Sequence, residues 1–166
     1  LTDGLRPRHL GPAMVSGRFV DLAVYEAQPH VFYAASSTGG LYKTTNNGTS
    51  FTALFGDAGT HSIGAIALHQ RDTSVVWLGT GERANRQSSS WGDGVYLSRD
   101  GGTTFRNVGL RGSAHVGRIV LHPENTQVAY VAAMGQLWAP NDERGLYRTR
   151  DGGTTWQRIL NVDANT

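Results

Sequence analysis

The stretch Thr149–Trp156 reads Thr-Arg-Asp-Gly-Gly-Thr-Thr-Trp, and the rest of the chain is organised around it. Ser98–Phe105 repeats it with Ser in the first position and Phe in the last, and Thr44–Phe51 is a looser copy in which Asn46 replaces the aspartate. The closing aromatic residues lie 54 and then 51 residues apart. A period of roughly fifty residues predicts a repeat architecture.

The chemistry of this turn motif predicts a hairpin that is closed by its own side chains. Gly accepts the positive φ of tight turns, and Asp or Asn can bond to the amides of its own turn. The Ser or Thr two positions earlier can add a second bond, and the Trp or Phe has an apolar body to bury. We therefore interpret the motif residues as structural rather than as metal ligands or catalytic acids. They are Asn46, Gly48, Phe51, Ser98, Asp100, Gly102, Phe105, Thr149, Asp151, Gly153 and Trp156.

Apolar runs between turn residues predict four short strands in each of three units, and no stretch has helical periodicity. The predicted strands cover residues 19–24, 31–35, 40–44 and 51–54, then 63–68, 75–79, 94–98 and 105–108, then 117–121, 128–132, 145–148 and 156–159. The first of these is interpreted as a buried strand, and Gln28 and Pro29 are placed in the turn that follows it. The fold class is therefore all-β, with three four-stranded antiparallel blades of a partial β-propeller.

The predicted organisation is a single propeller arc over residues 1–166. It divides into a leading segment (1–15), blade one (16–57), blade two (58–111), blade three (112–162) and the start of a next connection (163–166). Because propellers have about 4 to 8 blades, three blades would leave two faces uncovered. We expect the remaining blades of a longer chain, or self-association into a closed ring. The chain begins with Leu1 rather than Met, which suggests a mature product or an excised piece.

The composition excludes several function classes. A net charge of +2 does not favour nucleic acid as a partner, and the absence of cysteine excludes disulfides and thiol chemistry. No apolar run is long enough for a transmembrane helix, so no membrane insertion is expected, and no signal peptide is visible. The histidines have no paired metal-ligand spacing, so neither a metal nor a cofactor is expected.

The turn motif, Ser/Thr-x-Asp-x-Gly-x-Thr-Trp/Phe, resembles the Asp-box, also called the BNR repeat, of β-propeller proteins. The surrounding sequence, with Trp91–Tyr96, His115–Ile119 and Gly135–Trp138, looks most like the large bacterial sortilin-like and glycosyl-hydrolase-like propeller proteins, over nearly the whole chain. Asn46 departs from the motif, so its cap would be uncharged. The resemblance implies an extracellular or periplasmic location, and it is specific for fold but not for function.

The loops between the second and third strands of each blade have unequal lengths, and insertions on one face of a repeat array mark a binding face. The short loop of blade one is Ser36–Gly39, whereas the other two run over Thr80–Asp93 and Ala133–Arg144. On this loop-rich face we expect arginines suited to anions and tryptophans suited to sugars or peptide side chains. The ligand-binding candidates are Arg18, Glu82, Arg86, Trp91, Asp93, His115, Arg118 and Trp138, with Arg83 and Glu143 beside them.

A structural alternative remains open for the same residues. Arg18 and Arg118 could pair with Glu82 and Asp93 to hold the loops, and Trp91 and Trp138 could pack between blades. Trp77, in the middle of a strand, is predicted to lie in the core.

The predicted function is a non-catalytic binding or scaffold module of an exported bacterial β-propeller protein, which recognises a peptide, protein or glycan. The alternative is part of a glycoside hydrolase, sialidase-like or xyloglucanase-like, whose active site is completed by missing blades. Glu82 with Asp93 or Glu143 is a possible carboxylate pair for that chemistry. An Arg-Ile-Pro motif, which sialidase-like chemistry would favour, is absent from the start of the chain.

Overall fold

The computed structural model describes residues 17–164, which form twelve β-strands and contain no helix that could span a membrane. The strands are β1 (Phe19–Tyr25), β2 (Gln28–Ser36), β3 (Gly40–Thr44), β4 (Thr52–Leu54), β5 (Ile63–Leu68), β6 (Val76–Thr80), β7 (Val95–Ser98), β8 (Arg106–Gly109), β9 (Val116–Leu121), β10 (Ala129–Ala133), β11 (Gly145–Thr149) and β12 (Gln157–Leu160).

The twelve strands form three four-stranded antiparallel sheets, each in chain order. We call β1–β4 blade one, β5–β8 blade two and β9–β12 blade three. In each blade the pairing of the first and second strands slips near the start of the first strand, so a β-bulge recurs in all three. The prediction of three propeller-type blades is confirmed, and every strand except β2 begins and ends within one residue of its predicted bounds.

The turn motif is closed by its own side chains in the three blades. The Oδ1 atom of Asp100 accepts hydrogen bonds from the Ser98 hydroxyl at 2.7 Å and from the Thr104 amide at 2.9 Å. The Thr104 hydroxyl donates to the other carboxylate oxygen at 2.5 Å, and the Gly102 amide donates to the Ser98 hydroxyl at 2.8 Å. Together these hydrogen bonds lower the pKa of Asp100 to about 2, and the bond from the Thr104 hydroxyl has the largest effect.

The other two copies repeat this pattern. Asp151 accepts from the Thr149 hydroxyl at 2.8 Å and from the Thr155 amide at 2.9 Å, and its pKa is also lowered to about 2. In blade one the Oδ1 atom of Asn46 accepts from the Thr44 hydroxyl and the Ser50 amide, both at 2.9 Å. The uncharged amide therefore keeps the geometry of the turn.

The core lies between blades rather than inside them. One apolar cluster joins Leu41 of blade one to Ile63 and Leu78 of blade two. A second cluster joins Trp77 of blade two to Val116 of blade three, which confirms that Trp77 is a core residue. Each blade thus obtains its hydrophobic burial from its neighbour, as in other repeat folds.

Aromatic side chains fasten each blade to the turn of the next one. Trp156, which closes the turn motif of blade three, donates its Nε1 hydrogen to the carbonyl of Val108 in blade two at 2.7 Å. Its ring meets Trp77 edge to face with centroids 6.2 Å apart. The interblade contacts therefore fix the turn motif as well as the core.

The first strand differs from its prediction in two respects. It was expected to be buried, but Phe19 is 64% and Leu22 60% exposed, because no described element covers that side of blade one. The turn after it lies at residues 26 and 27, and Gln28 and Pro29 belong to β2. Pro29 is tolerated there because it falls in a bulged stretch outside both hydrogen-bonded ladders.

Candidate functional site

The three loops that join second to third strands lie at the end of the blades where the first strands begin. Phe19, the first residue of β1, pairs with Ser36, the last residue of β2. The loops cover residues 37–39 in blade one, 81–94 in blade two and 134–144 in blade three. The three loops therefore differ in length as the sequence indicates, and the two long loops belong to the adjacent blades two and three.

One hydrogen bond recurs at this end of every blade. The amides of Ser37, Gly81 and Met134 donate to the carbonyls of Arg18, Ser62 and His115 over 2.8, 2.9 and 2.8 Å. The residue before each first strand is thus held against the residue after the second strand. Arg18, Ser62 and His115 therefore occupy equivalent positions in the three blades.

Arg18 and Glu82 form an ion pair between blades one and two. The Glu82 side chain is only 3% exposed, whereas that of Arg18 is 44% exposed. A buried carboxylate is costly without a partner, so the guanidinium compensates for the desolvation of Glu82. The other side-chain nitrogens of Arg18 make no hydrogen bond to residues 17–164.

Gly81 sets the position of Glu82. Its φ is +86°, and a Cβ atom on it would lie 2.0 Å from the carbonyl oxygen of Ala114. Only glycine fits this close approach between the loop of blade two and the segment before β9. The Glu82 amide then donates to the carbonyl of Ser90 at 2.9 Å, which closes the base of the loop.

His115 lies on the other side of Gly81 and is almost completely buried. Burial lowers its pKa, so the ring is neutral over a wider pH range than an exposed histidine. Its Nδ1 atom has no hydrogen-bond partner among the described residues. The side chain is therefore a buried polar group behind the loop of blade two rather than a surface residue.

Arg118 does not join this cluster, although the sequence places it beside Arg18 at the start of a first strand. It lies inside β9 opposite Ala132, so its counterpart in blade one is Asp21, which pairs with Ala35. The exposed Arg118 side chain lines a separate cavity of about 630 Å³ between the three first strands and their following turns. The predicted grouping of Arg18 with Arg118 is therefore wrong.

Asp93 and Glu143 also belong to other local networks. Asp93 accepts a hydrogen bond from the Tyr96 hydroxyl at 2.6 Å, and its amide donates to the Thr80 hydroxyl at 2.9 Å. The Glu143 amide bonds to the Asn141 side chain at 2.7 Å. The Glu82 carboxylate is paired with Arg18, so Glu82 and Asp93 each have a local partner of their own.

Three large side chains stand on the surface of the long loops. Trp91 and Trp138 are 65% and 67% exposed, which contradicts the alternative that they pack between blades. Arg86 is also exposed, in a short turn held by its amide bond to the Ser89 hydroxyl at 2.9 Å. Loops on a β-sheet scaffold that expose tryptophan and arginine are common in recognition surfaces.

Ser62 escaped the sequence analysis, and its hydroxyl donates to the carbonyl of Ser90 at 3.2 Å. Arg83, which the sequence analysis named, donates from its guanidinium to the carbonyl of Val20 at 2.5 Å. Serines are too common to be distinguished by type, and only the equivalence of Ser62 with Arg18 and His115 could have indicated its place. Within residues 17–164 no group of three or more His, Asp or Glu side chains could hold a metal ion.

No family model matches the chain, and no curated protein matches it. Several solved structures are similar in fold. An ancestral GH74 enzyme has 22% identity and a TM-score of 0.71, over 90% of this chain and 19% of that one. The GH74 enzyme of Niastella koreensis has 22% identity and a TM-score of 0.61, over 83% and 20% of the two chains. YCF48 bound to D1 peptide has 14% identity and a TM-score of 0.61, over 89% and 41%.

These likenesses establish the fold. At identities of 22% and below they support a β-propeller built from blades like those described above. The chain spans between about a fifth and two fifths of the length of these proteins.

Proposed function

We propose that this chain is a non-catalytic binding module of a β-propeller protein, which recognises a peptide, protein or glycan at its loop-rich face. The observation that carries the proposal is the Arg18–Glu82 pair. A buried carboxylate fixes the guanidinium, and a half-exposed arginine held in this way presents oriented donors without first losing side-chain entropy. Trp91 and Trp138 supply exposed aromatic area on the neighbouring loops.

We further propose that the turn motifs are Asp-boxes and that the protein is of the sortilin-like, BNR-repeat type. The repeated bonds around Asn46, Asp100 and Asp151 support this. In each blade the side-chain oxygen at this position accepts from the hydroxyl two residues earlier and from the backbone amide four residues later. An exported location is part of the same proposal and rests on the resemblance of the motif to secreted propellers. The remaining partners are further blades, from a longer chain or from another copy.

A peptide ligand has the more specific support. The similar propeller YCF48 is bound to D1 peptide, although at 14% identity this likeness concerns the fold. Arginine donors and exposed aromatic rings on the same face suit a peptide with a carboxylate and an apolar side chain.

The test is to probe immobilised random-sequence peptides and a panel of oligosaccharides with the chain and with matched variants. Arg18→Ala, Arg86→Ala and the double variant Trp91→Ala/Trp138→Ala should each weaken binding by about tenfold or more, since central anchors contribute 1.4 kcal/mol or more. Arg150→Ala, an exposed arginine on the turn-motif face, is the control and should bind as the unmodified chain does. Equal loss in the control, or no loss in the other variants, would contradict the proposed face.

A second candidate function is a glycoside hydrolase, because two of the similar structures are GH74 enzymes and Glu82 is a buried carboxylate. The present contacts do not favour it, since the carboxylates of Glu82 and Asp93 are engaged by Arg18 and Tyr96. Hydrolysis of β-glucan oligosaccharides by the complete protein, abolished by Glu82→Gln, would establish the enzyme. Binding of the same sugars without turnover would exclude it.

A further inference from the structure

A cavity of about 370 Å³ lies on the outer side of the interface between blades one and two. Its walls are the loop that follows β4 in blade one and, in blade two, the end of the turn motif and the outermost strand β8. Both blades are complete within residues 17–164, so the cavity is a feature of the interface itself. The side chains that matter for its chemistry are Phe55, Asp57, Thr104, Phe105, Asn107 and Arg111.

The same place between blades two and three is filled by a larger side chain. Trp156 closes the turn motif of blade three, where Phe105 closes that of blade two. The Trp156 indole extends over β8 to bond the Val108 carbonyl, and a Cβ atom on Gly109 would lie 3.0 Å from its Nε1. The Phe105 ring is smaller and has no N–H donor, so it leaves part of this space open.

Two charged side chains complete the filling in blade three. Arg158 occupies the strand position that Asn107 has in blade two, and its guanidinium donates to the carbonyl of Asp142. Glu143 lies over Gly112, whose added Cβ would be 2.8 Å from the Glu143 Cγ. The cavity therefore depends on the identity of a few side chains in blade two and is not a general property of the blade interface.

The aromatic wall of the cavity is fixed by its own packing. Phe55 is buried and meets Phe105 edge to face, with ring centroids 5.2 Å apart. It meets Tyr96 in the same way at 4.8 Å. The Phe105 ring is half-buried and lines the cavity, so it presents apolar area in a fixed orientation.

The polar lining offers both donors and acceptors. The Asn107 side chain donates to the Asp93 carbonyl at 2.9 Å and accepts from the Gly109 amide at 3.0 Å, which leaves one of its N–H groups for another partner. Arg111 and Asp57 are exposed and form no ion pair within residues 17–164. Their opposite charges give the lining no net charge.

We infer that this cavity is a binding site for a pyranose unit of a glycan. A sugar ring presents an apolar C–H face that can cover Phe105, and its hydroxyl groups both donate and accept hydrogen bonds without carrying charge. Asp57 disfavours an anion and Arg111 disfavours a cation, whereas a neutral polyol can bond to both. The volume lies within the usual range of about 300 to 1,000 Å³ for small-molecule sites.

This site is separate from the loop-rich face and does not depend on the function proposed for that face. The cavity lies along the outer strand of blade two, whereas Arg18, Trp91 and Trp138 are not among its lining residues. A ligand bound at one site can therefore be distinguished from a ligand bound at the other by the residues whose signals it changes.

The test is to titrate the ¹⁵N-labelled chain with D-glucose, D-galactose, D-mannose and N-acetylglucosamine while amide chemical shifts are recorded. At least one sugar should give saturable shifts in residues 55–59 and in β8. Phe105→Trp copies the residue of blade three into blade two, so it should fill the cavity and weaken binding by about tenfold or more. Its urea midpoint should be no lower than that of the unmodified chain.

A second variant tests the polar lining without filling the cavity. Arg111→Ala removes a charged donor and should weaken sugar binding by about tenfold. The side chain is exposed, so the variant should fold normally. Arg150→Ala is the matched control, because Arg150 is also exposed but does not line the cavity, and it should bind as the unmodified chain does.

L-phenylalanine is the second probe, because it is also neutral overall and carries an apolar ring. Stronger binding of phenylalanine than of every sugar would assign the cavity to an amino acid and overturn the inference. The absence of saturable shifts with all of the sugars would overturn it too, as would sugar binding that Phe105→Trp leaves unchanged. Shifts confined to the long loops would support the function proposed for the loop-rich face and contradict this site.

Discussion

The hydroxyl group of Tyr33 in β2 donates a hydrogen bond to the carbonyl oxygen of Gly101, 2.7 Å away in the turn of blade two. Tyr33 is completely buried, and the Lys43 ammonium donates to the same carbonyl at 3.0 Å. The turn motif of one blade is therefore bonded to the second and third strands of the blade before it.

Removing that hydroxyl should weaken the contact without creating an unpaired acceptor. We expect Tyr33→Phe to lower the free energy of unfolding by about 1 kcal/mol, because one hydrogen bond is lost and Lys43 still satisfies the Gly101 carbonyl. Urea denaturation followed by circular dichroism measures this. Tyr130→Phe is the control, since Tyr130 is equivalent in blade three and has no hydrogen bond within residues 17–164; it should change stability by less than about 0.5 kcal/mol.

Stability should fall in acid because of the turn-motif aspartates. The pKa values of Asp100 and Asp151 are lowered from 3.8 to about 2 in the folded chain. The unfolded chain therefore takes up protons first, and the contribution of both groups is complete above about pH 5 and is lost as the pH falls through the folded pKa. Urea midpoints measured from pH 7 to pH 2 should show this fall.

The double variant Asp100→Asn/Asp151→Asn is the control for the acid effect. Asn46 shows that an amide keeps the turn geometry, so the variant should fold and its midpoint should change less between pH 5 and pH 2. An unchanged acid profile would mean that other carboxylates govern the transition. Ligand binding at pH 7 should be the same in both proteins, because the turn motifs lie at the opposite ends of the strands from the loop-rich face.

The Arg18–Glu82 pair predicts a non-additive double-mutant cycle. Arg18→Ala leaves a buried carboxylate without its cation and should cost about 1 to 3 kcal/mol of unfolding free energy. Adding Glu82→Gln to that variant removes the unpaired charge, so the double variant should be more stable than Arg18→Ala alone. Additive losses in the four-protein cycle would show that the two side chains do not interact in solution.

Gly81 should tolerate no side chain. Gly81→Ala places a Cβ atom 2.0 Å from the Ala114 carbonyl at a positive φ, so the loop of blade two must move away from the segment before β9. We expect a stability loss on the order of 1 to 3 kcal/mol, together with weakened binding of any ligand that contacts Arg18. Gly56→Ala is the control, because no atom lies within 4 Å of its added Cβ and its φ is not positive.

The fold was predictable from the sequence because its signals are local. The turn motif fixes where each third strand ends and each fourth begins, and the apolar runs between turns are short and regular. Burial of β1 was not predictable in the same way. The run from Phe19 to Val24 is as apolar as the later first strands, but burial depends on whether a neighbouring blade covers it, which the run itself does not encode.

The candidate site was predicted only in part, because the sequence does not show in which register the first strand of each blade pairs. Gly17-Arg18-Phe19-Val20 and Gly117-Arg118-Ile119-Val120 look alike, and each was assigned to the start of a first strand. The hydrogen bonds instead align Arg18 with His115 and place Arg118 inside β9 at the position of Asp21, because the likeness of the two segments does not follow the register in which the strands pair. Glu82 was found because a charged residue in a long loop is conspicuous. Ser62 was missed because only its position, equivalent to those of Arg18 and His115, distinguishes it from the other serines.

The four tryptophans divide into two optical classes. Trp77 and Trp156 meet edge to face across the interface between blades two and three, whereas Trp91 and Trp138 stand in solvent on the loop-rich face. Trp77 is completely buried and Trp156 half-buried, so the intrinsic fluorescence of the native chain should contain a component that acrylamide quenches readily and one that it quenches much less. The weakly quenched component reports whether blades two and three stay in contact, and the readily quenched one reports whether a ligand covers the long loops. Emission spectra recorded with and without quencher thus separate unfolding from binding without an added label.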